Sequence, residues 1–334
     1  MIRLALYIGW PPTMEKIRLV KQLGVSGIVG GPPIISPNEP VPEIWEFLPL
    51  LHCRKLVEDQ GLKLEVIESR PPMEKIKFGS QDRDRQIENF CKSIRNMGAA
   101  GIHILCYDFS LLPWTRTSLA KPTRGGALVT AFDYELIKDA PSTDYGTISE
   151  ERVWDNWEYF IKKVIPVAEE AKVKLALHPD DPPIPSLRGI ARPFRSVEAF
   201  RRVIETVDSD YNGLTFCQGC FAEMGVNIPE TIRYFGKRKK IFFVHFRDIR
   251  GNAYKFEETF HDDGQTDMLE AMRAYKEIDF DGPLRPDHVP TMEGDERYMG
   301  GTPGYTMLGR IYAIGYIKGL MEAVYGKQAL KQDC

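Results

Sequence analysis

Eight short apolar runs, separated by longer amphipathic stretches, constrain this 334-residue chain more than any other feature. They are LALYIGW (from residue 4), VSGIVGG (25), LKLEVIES (62), GIHILCYDF (101), KLALHPD (174), GLTFCQG (213), IFFVHFRDI (241) and GPLRPDH (282). Runs that are apolar on both faces read as strands of a parallel sheet covered by helices. The intervening segments carry the helical period. In ERVWDNWEYFIKKVIPVAEEAKV, Trp154, Trp157, Ile161, Ile165 and Ala168 recur every three or four residues and line one face. Further helices fit at 13–23, 41–60, 80–98, 196–207, 228–236, 265–277 and 305–325. Eight strands each followed by a helix predict a (β/α)8 TIM barrel, one domain spanning 1–334. No G-x-G-x-x-G turn follows the first strand to favour a doubly wound open sheet.

One segment breaks the rhythm. Residues 110–150 have loop-like composition where a short connection is expected. This insertion follows strand four, on the side where barrel enzymes keep their chemistry, and its TRGGALVTAFDY portion suits a small hairpin. A peripheral insertion is the alternative.

Charge and cysteine content narrow the partners. Lys and Arg total 44 against 47 acids, a net charge of -3, so nothing draws the chain generally to nucleic acid or anionic lipid. The six cysteines (Cys53, Cys91, Cys106, Cys217, Cys220, Cys334) do not fall at the spacings of a secreted disulfide framework. No run is long and apolar enough to span a membrane, and MIRLALYIGWPP lacks a small-residue cleavage site. A reduced, cytoplasmic, soluble protein acting on a small molecule is expected, as a homo-oligomer, dimer or tetramer.

Active sites of such barrels form at the carboxyl ends of the strands. His178 ends the fifth run, Cys217 the sixth, His245 lies near the end of the seventh, and Asp287 with His288 ends the eighth. Singly, a strand histidine is usually a hydrogen-bonded core residue, the reading given to His103; His52 and His261 show no partners in sequence. Four such residues at successive strand ends point instead to a metal. Strand alternation puts His178 and Asp180 on one face, and His245 and Arg247 on one face, so that each pair can enter the barrel mouth together. Asp287 and His288 can both serve the site only if the chain has left the strand there. Cys217-Gln-Gly-Cys220 is a C-x-x-C without a second pair for a zinc ribbon; Cys217 is the candidate ligand and Cys220 is expected only to pack. Glu68, Arg70, Trp114 and Arg116 are candidate rim contacts, each equally readable as a salt-bridged surface residue.

Several of these stretches together resemble the mannonate dehydratase family: HPDDPP, the F-C-x-G strand end, VHFRD, RPDH, a downstream P-G-Y, IRNMGAAGI, CYDF followed by WTRT, and VWDNWEYFIKKVIPVAEEA, spanning about residues 60 to 320. The resemblance implies a sugar-isomerase-like barrel that binds manganese or ferrous iron and removes water from D-mannonate to give 2-keto-3-deoxygluconate. By motif it puts the metal ligands on His178, Cys217, His245 and Asp287, and acid/base and substrate-contacting roles on His288, Tyr305 and Arg247. Asp180 or Asp181 then falls in the outer shell of the metal. A thiolate and a carboxylate would neutralise a divalent ion, and Mn2+ or Fe2+ suits lyase chemistry better than a closed tetrahedral Zn2+.

The chain departs from the family's pattern in being shorter than many relatives between strands four and five, and at two motifs. Asp287-His288-Val289-Pro290 stands for the common D-H-G-R, and Gly9-Trp10-Pro11-Pro12 for an arginine-aromatic pair. Another aldonic acid as substrate is therefore an alternative, as is a sugar isomerase or epimerase, although Cys217 argues against the latter. A zinc-binding non-enzyme or metal nuclease is the remaining class, and a nuclease would call for a basic surface.

Overall fold

A computed structural model describes residues 1–32, 43–112, 114–297 and 301–327. The first two residues of the predicted 41–60 helix, Pro113 within the insertion, and Cys334 lie outside them. In chain order the elements are β1 (Arg3–Tyr7), α1 (Met14–Gln22), β2 (Gly27–Gly30), α2 (Phe47–Glu58), β3 (Lys63–Glu68), α3 (Glu74–Phe78), α4 (Arg83–Ala99) and β4 (Ile104–Tyr107). Next come β5 (Ser118–Pro122), β6 (Leu128–Asp133), α5 (Glu150–Ala171), β7 (Lys174–Leu177), the two-residue strands β8 (Ser186–Leu187) and β9 (Ile190–Ala191), and α6 (Val197–Thr206). The remainder are β10 (Asn212–Cys217), α7 (Gln218–Glu223), α8 (Ile228–Gly236), β11 (Ile241–Phe246), β12 (Ile249–Asn252), β13 (Lys255–Glu258), α9 (Met268–Glu277), β14 (Pro283–Pro286) and α10 (Met307–Tyr325).

Each of the eight apolar runs forms a strand of one closed parallel barrel, in the order β1-β14-β11-β10-β7-β4-β3-β2. Closure comes from Leu4 pairing with Leu284 and Ala5 with Gly27. Side chains alternate across the sheet. Leu4, Leu6, Leu175, Leu177, Leu214, Phe216, Val244, Phe246 and Leu284 belong to the large core beneath the helices, whereas Ala5, Val66, Cys106, Ala176 and Phe243 form a separate, smaller cluster inside the barrel. Two residues past several of these interior positions stand Tyr7, Glu68, His178 and His245. The period of two thus delivers polar side chains to the mouth.

Helix α5 shows why the helices seat where they do. Ser149 caps its start by accepting from the Arg152 N–H at 3.2 Å, and the stripe Trp154, Trp157, Phe160, Ile161, Val164, Ile165 and Ala168 is buried. Among the described residues no helix is long and apolar enough to cross a membrane.

The 110–150 insertion is more structured than its composition predicts. β5 and β6 pair as an antiparallel hairpin, and β6 in turn pairs with β13, giving a four-stranded sheet in the order β12-β13-β6-β5. The partner hairpin, β12–β13, follows the seventh barrel strand and carries no apolar run that would have announced it. Leu128 and Thr291 exchange backbone hydrogen bonds of 2.9 and 2.8 Å, fastening the hairpin to the segment after β14.

Candidate active site

A cavity of about 510 Å3 lies at the carboxyl end of the barrel, lined among others by Glu68, Arg70, Trp114, His178, His245, Asp287, His288 and Tyr305. Within it four donor atoms converge. His178 Nε2 is 3.2 Å from His245 Nδ1, His245 Nδ1 is 3.5 Å from Asp287 Oδ2, and Cys217 Sγ is 3.9 Å from the same oxygen. Donors bound to one ion at about 2.0–2.3 Å are separated by roughly 3–4 Å, and these three spacings fall in that range.

A hydrogen bond orients one imidazole and an ion-pair contact the other. His178 Nδ1 lies 2.7 Å from the Pro179 carbonyl oxygen, which can only accept, so this nitrogen carries the proton. His245 Nε2 stands 3.0 Å from Glu68 Oε1, a carboxylate that likewise demands N–H. In their neutral forms the two remaining nitrogens therefore face each other lone pair to lone pair, with a thiol and a carboxylate beside them. Only a proton or a metal cation makes that arrangement stable, and the donor set fits a divalent ion.

The surrounding charges agree with this reading. Burial raises the Cys217 thiol, but contact with Cys220 and the Arg247 guanidinium outweigh it and bring the group well below the usual range, toward thiolate. Burial also opposes ionisation of Asp287, yet His288, Arg285 and His245 hold its carboxyl far below the ordinary value. Glu68 is held at about 2, burial being overcome by Arg285 and then His245. Arg285, two residues before Asp287 and inward by the same alternation, pairs with Glu68 and stands 2.8 Å from Asp287 Oδ1.

Outside the donors lies a buried charge cluster. Arg247 donates to Asp287 Oδ2 at 3.1 Å, Asp181 Oδ2 at 3.0 Å, Glu258 Oε2 at 2.9 Å and Glu223 Oε1 at 3.1 Å. The Arg116 side chain is buried beside it, paired with Asp181 and with Glu258 at 2.6 Å. Gly219 leaves room for this packing, since a Cβ there would come within 2.1 Å of Arg247 Nη1. His288 joins the cluster through Nδ1, 2.7 Å from Glu258 Oε1, and its ring lies between Trp114 (centroids 5.3 Å) and Tyr305 (5.2 Å). Tyr305 donates to Asp287 Oδ1 at 3.2 Å.

Several expectations need correction. Arg247 and Arg116 do not line the cavity; they are buried behind it. Asp180 is turned away as well, accepting from the Phe194 N–H at 2.9 Å. β7 ends at Leu177 and β11 at Phe246, so neither Asp180 nor Arg247 is a strand residue and the alternation of side chains does not reach them. It is Asp181 that reaches the cluster. Asp287 and His288 both face the cavity because β14 ends at Pro286. Cys220 does more than pack, since Arg247 Nη2 lies 3.3 Å from its sulfur. His103 is exposed just before β4, its Nδ1 donating to the Lys172 carbonyl at 2.9 Å, and is not a core residue. His261 is buried with Nε2 donating to the Phe246 carbonyl at 2.7 Å, and His52 is exposed on α2. Arg70 faces the cavity but is bound to Asp108 at 3.0 Å. The Val289-Pro290 departure lies off the cavity: Val289 is buried and donates its N–H to the Gly304 carbonyl at 2.9 Å. Glu258, Arg285 and Glu223 were not anticipated. Alternation could have found Arg285, but nothing in the pattern of runs marks Glu258.

A closed parallel barrel with this donor set at its carboxyl rim has the candidate site where (β/α)8 enzymes keep their chemistry. L-ribulose 3-epimerase shares the fold, with a TM-score of 0.61 and 16% identity over 99% of this chain and 98% of that one, a likeness of architecture alone. The chain itself belongs to the D-mannonate dehydratase (UxuA) family, whose model matches residues 4–144 and 141–331. It is 38% identical to the mannonate dehydratase of Thermotoga maritima over 93% of this chain and 94% of that protein, and 37% identical to that of Streptococcus pneumoniae strain 70585 over 94% and 90%. The crystal structure of mannonate dehydratase from Streptococcus suis serotype 2 superposes with a TM-score of 0.87 at 36% identity, covering 100% of this chain and 97% of that one.

Proposed function

We propose that this chain is a metal-dependent hydro-lyase that converts D-mannonate to 2-keto-3-deoxy-D-gluconate and water. Family membership supports the reaction, and the observation that carries the site is the pair of opposed imidazole nitrogens beside Cys217 and Asp287. His178, Cys217, His245 and Asp287 would hold the ion, their two negative charges balancing a divalent cation such as Mn2+ or Fe2+. Held there, the ion would supply Lewis-acid polarisation of the substrate oxygens that face it, which makes the carbon-2 proton more acidic.

The acid and base roles follow from the surroundings. Glu258 fixes His288 through Nδ1, leaving Nε2 to take the carbon-2 proton. The electron pair of that C–H bond becomes the C2–C3 double bond as the C3–O bond breaks. Burial, reinforced by Asp287, pushes the Tyr305 hydroxyl well above its usual pKa, so it is a proton donor and not a tyrosinate. It protonates the departing 3-hydroxyl, water leaves, and the enol becomes the 2-keto acid. Arg247 and Arg116 position Asp287, Asp181 and Glu258. Glu68 orients His245. Trp114 and Arg70 form the cavity wall, and Asp180 fixes the loop at Phe194.

We read residues 1–334 as one barrel domain, acting in the cytoplasm as a dimer or tetramer, a state that light scattering would measure. The decisive experiment is anaerobic turnover of D-mannonate by stripped protein resupplied with manganese, ferrous iron or zinc, with Cys217→Ala as control. Activity restored by manganese or iron and lost in the variant supports the reading. Metal binding that depends on Cys217 without turnover would move the substrate to another aldonic acid.

A further inference from the structure

Past Glu68 and Tyr305 the donor cavity adjoins a second one of about 370 Å3. Its charged lining among the described residues is three cations, Lys16, Arg285 and Arg310, against the single carboxylate of Glu68. Arg285 is neutralised twice, by Glu68 and by Asp287. The other two cations have no carboxylate among the described residues. Lys16 Nζ donates to the Ile8 carbonyl at 3.2 Å, and Arg310 Nη1 to the Tyr7 carbonyl at 3.0 Å. Arg310 is only 7% exposed, and burial followed by the Arg285 charge pulls its pKa to about 10. A guanidinium held in that environment with no counter-charge is costly unless an anion arrives from outside. The start of α10, a 19-residue helix, adds its partial positive charge through Met307 at the cavity wall.

Position decides which anion. Tyr305 bridges the two cavities, with its hydroxyl on Asp287 and its ring 5.4 Å from the Arg310 guanidinium. Arg310 therefore stands about one tyrosine ring from the metal donors, and Lys16 lines the same cavity. We propose that Lys16 and Arg310 form the subsite that takes the carboxylate of the sugar acid, and that they set the preference for an acid over a neutral sugar. The proposal rests on the functional reading above.

Steady-state kinetics on the holoenzyme test it, using D-mannonate as substrate and D-mannonamide, its neutral counterpart, as competitive inhibitor. Lys16 is half-buried on α1, so Lys16→Met should fold; Arg310→Lys keeps the charge and shortens the fork. In Lys16→Met, KM for D-mannonate should rise about tenfold or more with kcat within about threefold, while inhibition by the amide stays unchanged, as expected for a lost charge contact made in the bound state. Arg310→Lys should raise KM in the same selective way. An unmoved KM in both variants, or equal weakening of acid and amide, overturns the subsite. Calorimetric binding of D-mannonate to wild type and Lys16→Met separates this from the reaction itself. Charge-dependent binding without turnover keeps the subsite and removes the lyase reading, whereas turnover with charge-independent binding does the reverse.

Discussion

His288 Nδ1 and Glu258 Oε1 are 2.7 Å apart, although one residue follows the last barrel strand and the other ends a hairpin outside the barrel. A carboxylate so placed fixes the imidazole tautomer and steadies the imidazolium that forms when Nε2 takes a proton. Glu258→Gln keeps the shape and removes the charge. Its kcat should fall about 10²-fold with KM little changed, the size expected of a mis-set general base. Retained kcat would remove His288 from the base role.

Metal affinity should rise with pH. Burial lowers the pKa of His178, but Cys217 overcomes it and raises the group; burial and Arg285 lower that of His245, but Glu68 and Asp287 raise it well above the ordinary value. In metal-free protein at least one of these imidazoles is therefore protonated at neutral pH. The ion must displace that proton, so affinity should climb by about tenfold per pH unit for each proton released. Competition with a chromophoric chelator between pH 6 and pH 8 measures the slope. A flat profile would mean that the two nitrogens are not both ligands.

His261 should make the protein sensitive to acid. Burial depresses its pKa to about 4 from 6.5, and its buried Nε2 donates to the carbonyl at the end of β11. As pH falls from about 6.5 toward 4 the unfolded chain takes up this proton before the folded one does, which costs on the order of 3 kcal/mol of stability over that window. His261→Gln can keep a donor to Phe246 and removes the titration. Urea midpoints in the presence of chelator, compared at pH 7 and pH 4.5, should drop less in the variant than in the wild type; an equal drop would assign the acid sensitivity elsewhere.

The barrel was legible because each strand is buried on both faces and so spells a continuous apolar run. The donor residues were legible because alternation of side chains carries inward positions on to Cys217 and His245. Legibility stopped where the strands stopped. Asp180 and Asp181 are adjacent in a proline-rich turn, and only the path of the backbone decides that Asp181 meets Arg247 while Asp180 meets Phe194. Arg116 reads equally as a rim contact or a surface charge, and Glu258 gives no signal, because both sit in polar, weakly patterned segments; partners distant in sequence bury their side chains. Lys16 and Arg310 sit on helices, where the sequence does not separate a cation at the rim from a cation in solvent.

The antiparallel sheet joins hairpins from the fourth and seventh connections, and through Arg116 and Glu258 it supplies charges of both signs to a cluster whose other members, Asp181 and Arg247, follow barrel strands. Each set holds an ion pair of its own, and every one of the four is also paired across to the other set. The barrel is therefore not a free-standing scaffold wearing a removable ornament. Trimming the chain back to its eight strands and helices would strip the counter-ions from its own interior, so a shortened version would have to redesign the floor of the site along with its roof.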